Sequence, residues 1–326
     1  MITPKAMRDA FIEKIWQAMC RDRRLFFLSA DFGSPVLDKI RADFPDRFVN
    51  VGVAEQNLIN IATGLALEGY IVFAYAIAPF ISMRCYEQIR VNLALLSQVR
   101  PMNVNLIGVG AGYSYAMSGP THQCFEDLTL MRALPNVELM SPADHVTAAA
   151  CFERCVNMTG PKYCRFDAEI MPVIYEQGPP QMGQGFHVHR SSGRVCLVGT
   201  GYMTHTALKV SDVLAEDGDE VAVIDLFDLT RFKHAELYEA LKLCTDIVTI
   251  EEGFSGRGGL DSLLREYITK NNLAGRVHAV GINSIYDFSL GSRDILHQQA
   301  GIGVEAILKK VRNLIRSTTE AVHTME

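Results

Sequence analysis

The sequence predicts an α/β protein made of two doubly wound domains. Short apolar runs that read as strands buried on both faces alternate with helical stretches. The alternation stops once, in a segment dense in Gly and Pro, and then starts again. At 326 residues the chain is long enough for two ordinary domains, each with its own core.

Taken in order, the first series opens with a helix near 8–20 and a strand over 24–29, whose Leu25-Phe26-Phe27-Leu28 leaves no polar face. Helices near 55–67, 79–96, 125–133 and 143–158 follow, with strands over 71–75, 104–109, 137–140 and 163–166 between or after them. The run from Glu176 to Gly185 holds Gly178, Pro179, Pro180, Gly183 and Gly185 and reads as a linker. The second series runs strand 195–198, helix 203–216, strand 220–225, helix 235–243 and strand 246–251. It ends with helix 259–270, strand 277–280 and a helix near 304–316. The expected boundaries are 1–175 for the first domain, 176–192 for the linker and 193–326 for the second domain.

Composition narrows the function classes. Hydrophobic content of 48% with 21% charged residues is that of a soluble globular chain. A net charge of -6 offers no basic footprint for nucleic acid. The start, Met1-Ile2-Thr3-Pro4-Lys5, lacks the apolar core of a signal peptide, and no run is long enough to span a membrane. The eight cysteines are scattered without CxxC pairs; Cys151 and Cys155 lie four apart with no histidine at zinc spacing. They read as reduced, mostly buried thiols of a cytoplasmic protein, and no metal ligands are assigned.

Chemistry concentrates at two places. Glu55 lies in Asn50-Val51-Gly52-Val53-Ala54-Glu55-Gln56, where an apolar-periodic segment begins. A carboxylate buried there needs a partner or a function. The second place is Ser118-Gly119-Pro120-Thr121-His122-Gln123, on a Gly- and Tyr-rich loop leaving the strand over 104–109. Ligands of open α/β sheets bind beyond the carboxyl ends of strands, and a histidine there suits proton transfer or a bond to a developing oxyanion. Gly199-Thr200-Gly201 is a decoy: a dinucleotide fingerprint needs a third glycine where Thr204 stands, so a tight strand-to-helix turn is the simpler reading. The run Gly253 to Gly259 is treated likewise, as a glycine-rich connection.

Three blocks, VGVAEQNLINIATGLALEGY, PFISMRCYEQIR and GPTHQCFEDLTLMRALPNVELMSPAD, resemble in order and spacing the pyrimidine-binding domain of the transketolase family. Beyond the linker, RVCLVGTGYMTHTALKVSDVLAEDGDEVAVIDL and IVTIEEGFSGRGG resemble that family's C-terminal domain. The resemblance implies thiamine diphosphate as cofactor, with Glu55 as the acid that bonds N1′ of the aminopyrimidine and activates it toward ketose carbonyls. It implies Phe80 stacked on the pyrimidine, where a core phenylalanine is the competing reading, and Asp31 in the Ala30-Asp31-Phe32-Gly33-Ser34 turn lining the thiazolium side. His122 is implied to contact a substrate oxygen and Arg8 a sugar phosphate, an exposed helix arginine being the alternative for Arg8. Ser118 and Arg165 complete the substrate positions.

Several positions depart from the family pattern. Members usually carry an acid where this chain has Ser118, and a His-Asp pair where it has Gly110-Ala111. A second aromatic near the pyrimidine is Ile77, and Ala168 occupies the usual phosphate-binding place near Arg165. These departures leave the cofactor chemistry in place and point away from the standard pentose phosphates, toward a modified or shorter acceptor. No GDG followed by Asn, the family's magnesium–diphosphate signature, occurs. The resemblance therefore implies the C-terminal subunit of a split transketolase. A separate N-terminal subunit would hold Mg2+ and the diphosphate, and the assembly would be α2β2. Two alternatives share this ground: the β subunit of a 2-oxo-acid dehydrogenase E1 component, and a non-catalytic regulatory subunit.

Overall fold

Six parallel strands form the first sheet of the computed structural model, which describes residues 2–323, with the side chains of 318–323 left aside. These are β1 (Leu25–Ser29), β2 (Phe48–Asn50), β3 (Ile71–Ile77), β4 (Asn103–Val109), β5 (Glu138–Met140) and β6 (Gly160–Phe166), in the order β2-β1-β3-β4-β6-β5. Side-chain alternation assigns each strand residue to one of two cores. Leu25, Phe27, Ile71, Phe73, Tyr75, Ile107 and Val109 face α1 (Met7–Met19), α2 (Pro35–Asp43) and α6 (His145–Asn157). Phe26, Leu28, Val72, Ala74, Ala76, Val104 and Leu106 face α3 (Glu55–Leu67), the 80–95 segment and α5 (Asp127–Arg132). Helices on both faces of a parallel sheet make the doubly wound arrangement that the sequence predicts.

The helix expected over 79–96 is not one regular helix. Residues Phe80–Arg84 and Ile89–Leu95 form π-helical turns on either side of a short α4 (Tyr86–Gln88). The buried residues Ile81, Cys85, Ile89 and Leu93 repeat every four positions. A regular turn of about 3.6 residues would rotate that stripe off the core, whereas turns widened to i→i+5 bonding keep it facing inward.

The second sheet has the order β11-β10-β8-β9-β7, with β8 (Val195–Gly199), β9 (Ala222–Leu226), β10 (Asp246–Phe254) and β11 (Arg276–Ile282) parallel. The edge strand β7 (Phe186–Arg190) runs antiparallel to β9 and lies within the stretch read as linker. Its alternating Phe-His-Val-His pattern carries only one fully buried residue, so it leaves no apolar run. One face packs against α7 (Tyr202–Glu216), α10 (Arg293–Ala300) and α11 (Val304–His323), the other against α8 (His234–Leu241) and α9 (Leu260–Lys270).

A buried ionic cluster joins the domains. Arg293 donates from Nε and Nη2 to the two Glu252 oxygens at 2.8 and 2.5 Å, and its Nη1 lies 2.7 Å from Asp167 at the end of β6. His297 Nε2 meets Glu252 Oε1 at 2.5 Å, and the Arg293 guanidinium lies 3.6 Å from the Tyr202 ring centre. Burial opposes ionisation of Glu252, but Arg293 and His297 hold its carboxyl well below the usual carboxylate range. Burial outweighs Arg293 at Asp167 and raises that carboxyl. All eight cysteines are free and seven are buried. Among the described residues no helix is long and apolar enough to cross a membrane, and no group of three or more His, Cys, Asp or Glu side chains could hold a metal ion.

Candidate functional site

The loops beyond the carboxyl ends of β1 to β4 carry most of the residues singled out above. Glu55 is the first residue of α3, at 2% exposure, and no side chain caps that helix. Its Oε2 accepts a bond from Arg84 Nη1 at 2.9 Å. Arg84 ends the first π-helical turn and places its guanidinium carbon 5.2 Å from the ring centre of Phe80, which begins the same turn. Phe80 in turn meets the His122 ring edge-on at 5.4 Å. Glu55, Arg84, Phe80 and His122 thus form one continuous line of contacts. Behind them Cys85 is pushed up to about 12 by burial, with the Glu55 charge adding to the effect.

His122 stands near the end of a loop whose two ends are pinned by an antiparallel bridge, Gly112 N to Cys124 O at 2.9 Å and Cys124 N to Gly112 O at 3.0 Å. Gly112 lies directly on the Glu252 side chain, so the second domain supports the base of this loop. Gly110, at φ 111°, lies under the Tyr115 ring, where a Cβ would collide with the ring. Tyr115 approaches His122 at 6.3 Å, and Thr121 Oγ1 lies 3.0 Å from His122 Nδ1, which fixes the imidazole plane and leaves Nε2 for another partner. Ser118 is exposed on the loop.

Asp31 and Arg8 belong to a neighbouring group. Asp31 has φ 52°, one of two described non-glycine residues with positive φ. Asn50, at the end of β2, accepts from Asp31 N and donates to Asp31 Oδ1, both at 3.0 Å, and also accepts from Gly52 N. An aspartate tolerates the left-handed region better than most side chains, and here a bracing amide over-determines it. Half-buried Arg8 lies 5.5 Å from the Phe32 ring centre and 3.6 Å from Asp9, with its Nε buried and without a hydrogen-bond partner. Phe32 stacks on Tyr75 at 4.9 Å, and burial raises Tyr75 although Arg8 opposes the shift. Tyr115 links the groups: burial raises it, Arg8 partly offsets that, and its ring touches His122.

Arg165 is not brought to this cleft. It is buried, and its Nε donates to both Asp127 oxygens at 3.1 and 2.9 Å, while Nη2 donates to the Cys124 and Glu252 carbonyls. A desolvated guanidinium so fully engaged ties β6 to α5 and to the second domain, and leaves no donor for a substrate. Sequence reasoning missed Arg84, Asn50 and Tyr115. Arg84 lies four residues after Phe80 on a helical stretch, and Asn50 five before Glu55. Tyr115 gave no signal beyond being an aromatic in a glycine-rich loop.

The carboxylate, the adjacent ring and the imidazole match the donor set expected for an aminopyrimidine end of thiamine diphosphate: one buried acid, one stacking surface and one group for the substrate side. The family model described as the transketolase pyrimidine-binding domain matches residues 3–170, and that of the transketolase C-terminal domain matches 184–307. One of the two chains named for an apulose-4-phosphate transketolase in Actinobacillus succinogenes is 30% identical over 82% of this chain and 84% of its own. The 6-deoxy-6-sulfo-D-fructose transketolase subunit SqwH of a Clostridium species is 28% identical over 93% and 92%. A solved split-gene transketolase, an inactive β4 tetramer, superposes with a TM-score of 0.83 at 28% identity, over 94% of this chain and 97% of that one.

Proposed function

Because the chain belongs to the transketolase family, we propose that it is the subunit of a split transketolase that contributes Glu55 to thiamine diphosphate activation. The reaction would move a two-carbon ketol unit from a ketose or ketose phosphate to an aldehyde. The observation that carries this reading is the buried Glu55 carboxylate at the head of α3, in line with the Phe80 ring and the His122 imidazole. Thiamine diphosphate, when bound, supplies the nucleophilic carbon and the electron sink.

This chain's residues would do the following. Glu55 holds a proton at N1′ of the aminopyrimidine through Oε1, the oxygen that Arg84 leaves free. Phe80 offers a face for the ring, and Asp31 lines the thiazolium side. His122, its plane set by Thr121, presents Nε2 to a substrate oxygen, where charge develops. Arg8, with an unpaired Nε, receives a phosphate or another anionic end of the substrate. Mg2+ and the diphosphate fall to a separate N-terminal subunit, within an α2β2 assembly.

Ser118, Gly110 and Ala111 stand where standard substrates meet polar groups, so a modified sugar is favoured over the common pentose phosphates. Relatives named for apulose-4-phosphate and for a sulfonated deoxyfructose support that direction. The test is two-carbon transfer by the chain reconstituted with its partner, assayed with ketose phosphate donors and aldehyde acceptors. Turnover confined to 2-oxo acids with a lipoyl acceptor would overturn the reading in favour of a 2-oxo-acid dehydrogenase subunit.

A further inference from the structure

Resting on that reading of Glu55, we propose that Arg84 is the positioning residue for the Glu55 carboxylate, holding Oε2 so that Oε1 alone is aimed at N1′. Among the described residues, Arg84 is the one hydrogen-bond partner of the Glu55 side chain. A carboxylate at 2% exposure with two rotatable bonds and no other partner has nothing else to fix its orientation. It would also suffer the cost of an unpaired buried charge.

The geometry explains why the residue is an arginine. Its planar group lies against the Phe80 ring at 5.2 Å while one nitrogen reaches Glu55 at 2.9 Å. A guanidinium can stack on a ring and donate in its own plane at the same time, whereas an ammonium offers only a point charge. The backbone beneath it is also held: Gln56, the residue after Glu55, donates from Nε2 to the Arg84 carbonyl at 3.3 Å, tying the head of α3 to the end of the π-helical turn. The widened turn therefore carries both the ring that would stack on the pyrimidine and the cation that orients the acid. Arg84 is half-exposed, so its charge is screened and its replacement leaves no cavity.

The test compares two ligands by calorimetry on the reconstituted pair: thiamine diphosphate, and an analogue carrying C–H in place of N1′. Wild type prefers the true cofactor because only it can bond Glu55. Arg84→Met should cut that preference about tenfold, the scale of a lost charge-assisted bond. The loss should fall on thiamine diphosphate and spare the analogue. Arg84→Lys should restore part of the preference, since it keeps the charge without the stacked plane. An unchanged preference, equal weakening of both ligands, or tighter cofactor binding in Arg84→Met would each overturn the proposal, the last by showing that the guanidinium competes for the carboxylate. Glu55→Ala separates the two levels. If it leaves the preference at the wild-type value, the assignment of Glu55 itself fails; if it abolishes the preference and Arg84→Met does not, only the role of Arg84 fails.

Discussion

Replacing Arg293 by Met should destabilise the protein in a way that grows with pH. Arg293 bridges Glu252 and Asp167, which are 1% and 3% exposed, through contacts of 2.5 to 2.8 Å. Methionine keeps most of the volume and removes the charge, leaving two buried carboxylates with His297 as the remaining partner of Glu252. Breaking a buried pair in this way costs about 3–5 kcal/mol. With about 2–4 °C per kcal/mol for domains of this size, the Tm should fall by roughly 10 °C near neutral pH.

The sign with pH follows from the carboxyl groups. In the wild type, Glu252 is held below its ordinary value of 4.5, so its stabilising contribution is present above that pH and is lost as the pH falls through the folded value. In the variant, burial without Arg293 favours the protonated acid, and the variant loses stability as the pH rises above about 4.5. The gap in Tm between wild type and Arg293→Met should therefore widen from about pH 5 to about pH 7.5, as read by circular dichroism melts. An equal gap at both pH values would refute the ion-pair account and leave only lost packing on Tyr202.

Gly110→Ala should leave the fold intact but displace the His122 loop, because φ 111° disfavours any Cβ and the Tyr115 ring occupies its place. We expect a stability loss of about 1–3 kcal/mol with a transfer rate reduced by about tenfold or more, and a wild-type rate would contradict the loop geometry. His189 is pushed down to about 4 by burial, with His187 and His205 adding repulsion and Asp144 opposing it. Its unfolded counterpart protonates near 6.5, so stability is lost as the pH falls from about 6.5 to 4, by roughly 1–2 kcal/mol after allowance for its partial exposure. His189→Phe should flatten that part of the Tm profile, and an unchanged slope would contradict the assignment.

Both domains were legible because parallel strands buried on both faces leave unbroken apolar runs: Leu25–Leu28, Val72–Ala76 and Val104–Val109 are all buried or nearly so, bar polar Asn105, which bonds the neighbouring strand. The elements that escaped lack that signature. β2 has three residues, none fully buried, and α2 and α10 each bury only two or three side chains. β7 alternates histidines at an edge, and the π-helical turns obey a four-residue repeat that sequence patterning alone reads as an α-helix. Within the site, Glu55, Phe80 and His122 could be placed by motif, since each lies in a block that resembles the family. Arg165 could not: residue type marks a phosphate ligand, but only the fold shows Asp127 and the Glu252 carbonyl engaging its donors. Arg84 escaped for the converse reason, as its significance depends on a contact spanning 29 positions.

The central claim is that Glu55 activates a shared cofactor, and the most direct measurement is two-carbon transfer by the assembled complex carrying Glu55→Ala. Assembly, followed by analytical ultracentrifugation, should be unchanged, because Glu55 lies at the head of a helix whose apolar face (Leu58, Ile59, Ala62 and Ala66) is untouched. Transfer should be abolished, whereas wild-type rates in a correctly assembled variant would contradict the account.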